Sequence, residues 1–173
     1  MTVGGCRSVA HADVLAVLRT RVDDGPAREV ESAVRTLSAQ NEHQWELEDE
    51  SRRLCAAARF HDVGVVKALI DDSNGRRLEL VHDIDRIVAS LAGAGPPERG
   101  GSRSRRFSDS FGQLCDRLTV EATRCQRAPD LEFLTLAEER YHHLLACTAE
   151  LLDALLAGSA ELAPDRLHKI YPR

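Results

Sequence analysis

Twelve consecutive residues, Asn41 to Arg52, read Asn-Glu-His-Gln-Trp-Glu-Leu-Glu-Asp-Glu-Ser-Arg and hold the chain's densest set of groups able to grip a ligand. Upstream, Val30, Val34 and Leu37 mark one face at helical spacing. Steps of three and four continue that stripe onto Asn41, Gln44, Glu48 and Arg52, with Trp45 and Asp49 alongside. A second stripe, Val63, Val66, Ile70, Asn74, Arg77, Val81, Ile84, Val88 and Leu91, turns polar at Asn74 and Arg77. Burying such groups is costly unless they pair or bind something.

If the two helices are antiparallel neighbours turning near His61, Glu48 comes level with Asn74, and Arg77 lies near Gln44 and Trp45. Glu48 is then expected to accept from Arg77 or Asn74. Two readings stay open. The belt is a satisfied network that fixes helix register, or it is a pocket. In the pocket reading Arg77 forks onto a phosphate or sugar acid and Trp45 stacks on a sugar or base. Glu48 and Arg77 are then the catalytic candidates. Asn41, Gln44, Trp45, Asp49, Arg52, Asn74 and Asp85 are the ligand-binding ones.

Other constellations point away from metal. Glu79-x-x-His82 and Glu139-x-x-His142 have the spacing used by carboxylate-bridged di-iron bundles, with Glu48 and Glu121 available on other helices. At about 100° per residue, however, Glu79, Glu139 and His142 fall off the apolar stripes and face solvent. The acidic residues Glu46, Glu48, Asp49, Glu50, Asp71, Asp72, Asp83 and Asp85 lack the paired spacing of a multi-cation site and read as solvated faces. No Gly-rich phosphate loop, nucleophile elbow or dinucleotide fingerprint occurs, so neither a metal nor a cofactor is expected.

The positioning elements are helices. Leu and Ala dominate, aromatics are sparse, and Gly and Pro cluster between 93 and 101, a composition that favours an all-α protein. A short helix is expected over 9–21. Gly25-Pro26 then opens a long helix over 27–58, and after a break at 60–62, with Asp62 as N-cap, a second runs to about 91. Residues 93–107 form a flexible basic linker whose Arg99, Arg103, Arg105 and Arg106 suit either a plain tether or a loop closing over a nucleotide-sugar diphosphate or an acidic partner. Ser110-x-x-Gln113 is a capping box for a third helix carrying Phe111, Leu114, Leu118, Ala122 and Cys125. Pro129-Asp130 precedes a fourth over 131–157, with Gly158 at its C′ position. The expected fold is a single domain over 1–173, an antiparallel four-helix bundle with a short N-terminal helix.

A net charge of −5 provides no global field for nucleic acid, and no apolar run approaches the roughly 18 residues of a membrane span. The N-terminus shows no signal-peptide pattern. Five cysteines, Cys6, Cys55, Cys115, Cys125 and Cys147, are scattered singly, which suits reduced thiols in a cytoplasmic protein.

Gln44-Trp45-x-x-Glu48-Asp49-x-x-Arg52, then Asn74-x-x-Arg77 and Ile84-Asp85, resembles a bacterial family known as domain of unknown function 4254. Leu114-x-Asp116-Arg117-Leu118-Thr119, Leu152-x-x-Leu155-x-x-Gly158 and Lys169-Ile170-Tyr171 are similar to its later segments. The family tail usually continues Lys-Met-Tyr-Asn-Asp-Pro, whereas this sequence reads Lys169-Ile170-Tyr171-Pro172-Arg173. The resemblance implies a helical cytoplasmic protein whose relatives often accompany glycosyltransferases; it supplies no catalytic residues. The expectation that follows is an accessory protein for a glycosyl-transfer step, with a glycosyltransferase as partner. The alternative is a small stand-alone enzyme acting on a phosphorylated sugar or nucleotide sugar, and a homo-oligomeric scaffold is a third class.

Overall fold

A computed structural model of the chain describes residues 10–93 and 105–162. They form an all-α bundle. A short helix α1 (Ala10–Arg19) precedes α2 (Asp24–Ala56), α3 (Phe60–Leu91), α4 (Phe111–Gln126) and α5 (Leu131–Leu156). Local chemistry sets the ends. Pro26 lies in the first turn of α2 behind N-cap Asp23, where its missing N–H costs nothing. Ser110 Oγ accepts from Gln113 N while Gln113 returns the bond, closing the capping box of α4. Asp130 caps α5 by accepting from Phe133 N at 2.8 Å, and Gly158 takes the left-handed conformation just past its end.

The α2–α3 break falls at residues 57–59, near the expected place. Asp62 is not its N-cap. It lies inside the first turn of α3 and accepts from Arg59 Nε at 2.7 Å. Ala58 instead makes the turn, with φ 54°, and Arg59 N donates to Leu54 O at 3.0 Å.

Helix directions follow from their cross-links. Asp85 meets Gly112 and Arg77 meets Asp116, so α4 runs antiparallel to α3. Asn41 meets Asp116 and Asp49 meets Arg127, so α4 runs parallel to α2. The α1 helix and the turn after it are tied to α5 by Tyr141 donating to Asp13 and by Arg21 forking onto Asp153. The main core unites Val14 and Leu18 of α1, Val30 to Leu37 of α2, Val81 to Val88 of α3, the inner face of α4, and Tyr141 to Leu152 of α5.

Two features go beyond the expected bundle. Arg105–Phe107 (β1) pairs in parallel with Ala160–Leu162 (β2), in the register Arg105↔Ala160, where an irregular linker was expected. Phe107 and Ala160 pack against the main core. In addition, α2 and α3 extend past the bundle as a two-helix arm. Its separate core is Leu54, Val63 and Val66, flanked by Leu47 and Ile70. Residues 94–104, including Arg99 and Arg103, lie outside the described residues, as do Cys6 and the Lys169-Ile170-Tyr171 tail.

Candidate functional site

The polar belt sits between the two cores, and a third helix completes it. Asp116 of α4 accepts a two-point fork from Arg77, Nε and Nη2 each at 2.6 Å. Asn41 donates to Asp116 at 3.1 Å and to Thr119 Oγ1 at 2.6 Å, and Thr119 donates to the Asp116 carbonyl. Asn41, Asp116 and Thr119 are all buried. This planar guanidinium–carboxylate contact is the strong kind of charge-assisted pair. It raises the pKa of Arg77 above the ordinary guanidinium value; the Asp116 hydrogen bonds dominate, burial opposes them, and the charges of Asp116 and Glu48 add to them. Beside this cluster, Gln40 donates to Ser73 Oγ at 2.7 Å, and Ser73 contacts Gln44 at 3.5 Å.

Several candidates sit elsewhere than their phase implied. Asn74 is exposed, and Ser73 takes the buried place because the stripe steps from Ile70 by three rather than four. Glu48 is not joined to Arg77 or Asn74. Its side chain is 44% exposed and contacts Gln44 at 3.4 Å and Arg52 at 4.0 Å, since α4 delivers a closer carboxylate to Arg77. Arg52 is exposed and pairs with Asp49, whose other oxygen accepts from Arg127 at 3.1 Å. These arginines hold the Asp49 carboxyl below its usual range, Arg52 through its hydrogen bond first. The Arg127 guanidinium also lies 5.8 Å from the Trp45 ring centre, so the indole already has a cation on it. Asp85 sits apart, accepting from Gly112 N at 2.7 Å at the start of α4. Structure therefore gathers Asn41, Gln44 and Arg77, and leaves Asn74, Arg52 and Asp85 outside the cluster. Glu79, Glu139 and His142 are exposed, as their phase predicts.

Sequence reasoning named Asp116 and Thr119 only within a family-like motif, without placing them in the belt, and did not single out Gly112. A signal was present: Gly112, Asp116, Thr119 and Thr123 recur at steps of four, three and four and are all buried. They form a second inward face, small and polar, beside the Leu114/Leu118 face, because α4 is flanked on several sides. At Gly112 a Cβ would stand 2.3 Å from the Val81 carbonyl oxygen, so only glycine lets α4 approach α3 this closely. Cys115, fully buried behind it, is pushed well above the ordinary thiol range by burial first and then by the nearby charges of Asp85 and Asp116. It is a packing thiol and not a nucleophile.

Arg77 also lines an open cavity of about 380 Å³. Arg77 of α3, Arg117, Glu121 and Arg124 of α4, and Arg140 and His143 of α5 line it, with Val120 and Leu144 as apolar wall. Glu121 Oε1 accepts from Arg124 at 2.6 Å. Its Oε2 is the one buried side-chain oxygen or nitrogen without a hydrogen-bond partner among the described residues. Among those residues no cluster of His, Cys, Asp and Glu is arranged to hold a metal ion, and no helix is long and apolar enough to cross a membrane.

No curated protein and no solved structure matches the chain. Residues 31–163, which span the belt, the arm and the cavity, match the family described as protein of unknown function (DUF4254). With the belt, α4 and the whole of α5 inside that match, the chain belongs to this family.

Proposed function

We propose that this protein is a helical accessory partner in a glycosyl-transfer step of glycoconjugate or glycosylated-metabolite biosynthesis, acting in the bacterial cytoplasm. The observation that supports a partner role is the arm. Beyond the belt, α2 and α3 carry only a small core of their own, yet Phe60 is 72% exposed and Val65 55%, with Leu69 also exposed. Large apolar side chains held out on a narrow projection are what a docking surface offers. The belt supports the same reading: Arg77, Asn41, Asp116 and Thr119 satisfy one another, and Glu48 is not among the residues lining the cavity beside Arg77. The glycosyl-transfer setting is the one implied by the family resemblance.

The test is co-expression with any glycosyltransferase whose gene adjoins that of this protein. The partner role expects a co-purifying complex and restored transferase activity or solubility, both lost in Val65→Asp/Leu69→Asp, whose exposed sites leave the fold intact. The chain alone should show no turnover of nucleotide sugars. Turnover by the single protein, abolished by Glu48→Gln without loss of stability, would instead establish the stand-alone enzyme. Dimerisation through the arm with no heterocomplex would establish the scaffold.

A further inference from the structure

The cavity between α3, α4 and α5 lies apart from the arm, and none of the arm's core residues lines it. Two independent features mark it as a built site. The first is charge. Four arginines from three helices converge there against a single lining carboxylate. Arg77 and Arg124 are committed to Asp116 and Glu121. Arg117 has an exposed contact with Asp109 at 3.0 Å, and Arg140 makes no ion pair among the described residues. The fixed pairs stiffen the wall, and the exposed side chains of Arg117 and Arg140 line the cavity from α4 and α5. The second feature is Glu121. It is 7% exposed, and its Oε2 is buried with no donor. A buried carboxylate oxygen without a donor carries a desolvation cost that a ligand donor would relieve.

These features define the ligand chemistry. Guanidinium groups match the oxygens of phosphate and carry the positive charge it needs. The Glu121 oxygen requires an O–H or N–H. A net positive lining disfavours an ammonium and leaves a neutral donor, which on a polyol is a hydroxyl. A volume of about 380 Å³ is within the roughly 300–1,000 Å³ usual for small-molecule sites. We propose that this cavity binds a phosphate ester of a polyol, with Arg117 and Arg140 on the phosphate and the Glu121 carboxylate turning toward the cavity so that Oε2 accepts from a hydroxyl. Val120 and Leu144 supply an apolar surface for the ring carbons. The ester comes from a free sugar phosphate or from a nucleoside diphosphate sugar, and both present the same pair of groups. This assignment does not depend on the partner role of the arm.

Calorimetric titration of the full chain at low salt distinguishes the possibilities, with inorganic phosphate, glucose, glucose 1-phosphate, UDP-glucose and citrate as probes. Saturable binding is expected for glucose 1-phosphate or UDP-glucose, and the tighter of the two identifies the source. Phosphate should bind more weakly, and glucose not at all. Arg140→Ala, at an exposed site that leaves the melting curve unchanged, should weaken the phosphorylated ligand at least tenfold, the loss of one charge-assisted contact. Glu121→Gln should leave phosphate binding equal or tighter, yet cut the advantage of the sugar ester over phosphate about tenfold. No saturable binding of either sugar ester at millimolar concentration would overturn the assignment. So would binding untouched by Arg140→Ala with Arg117→Ala, or citrate binding as tightly as the sugar esters.

Discussion

Replacing Asp116 by Asn tests whether the belt holds the three helices together. The substitution keeps the shape but removes the charge. One oxygen stays available to Arg77, and the new amide is set against the Asn41 amide, which now donates at 3.1 Å. Breaking a buried ion pair by removing one partner costs about 3–5 kcal/mol. Arg77 keeps 30% of its side-chain exposure, so water recovers part of that loss and about 2–3 kcal/mol remains. For a chain of this size the melting temperature should fall by roughly 4–12 °C, at about 2–4 °C per kcal/mol. Urea unfolding followed by both far-ultraviolet circular dichroism and Trp45 fluorescence gives the free energy, and coincidence of the two curves checks two-state behaviour. Arg77→Met and the double variant complete a cycle. The double variant should recover about 2 kcal/mol relative to the sum of the singles, because neither charge is then buried alone. Asp116→Asn within about 0.5 kcal/mol of the parent, or strictly additive singles, would refute the reasoning.

Glu48→Ala should cost no more than about 1 kcal/mol by urea unfolding, since a half-exposed carboxylate with two long contacts contributes as a surface pair does. Gly112→Ala should destabilise by about 1–3 kcal/mol or more, the cost of an overpacked helix crossing, and a parent-like melt would show that α4 can shift. Ala58→Gly should stabilise by about 1 kcal/mol through relief of the left-handed turn, read as a raised urea midpoint with unchanged slope. Brief alkylation at pH 8 followed by peptide mass spectrometry should label exposed Cys55 and spare buried Cys115 until the protein unfolds.

The bundle was legible because its helices advertise themselves locally. The Ser110/Gln113 box, Asp130, Pro26 and Gly158 each act over a few residues, so their effect can be read without knowing the fold. The apolar stripe of α2 was legible for the same reason, down to the burial of Asn41 and Gln44. The belt's wiring was not, because it depends on which third helix arrives. Arg77 chose between Glu48 on its hairpin partner and Asp116 on α4, and only the tertiary approach permitted by Gly112 decides that. Over 32 residues of α3 a small error in helical phase also exchanges neighbours, which is how Asn74 stood in for Ser73. The arginine cavity draws on three helices at once and has no contiguous motif.

The division of the apolar interior into a large cluster and a small one at the arm implies two tiers of local stability. Amide protons of Val30 to Leu37, Val81 to Val88 and α4 should exchange with solvent only through global opening, whereas those near Leu54, Val63 and Val66 should exchange through an opening that spares the rest. The hydrogen-bonded belt between them would act as a firewall, stopping fraying that begins at the hairpin tip. Engagement of Phe60, Val65 and Leu69 by another surface would then slow exchange in the arm selectively, and the boundary of that slowing along α2 and α3 would trace how far the contact reaches.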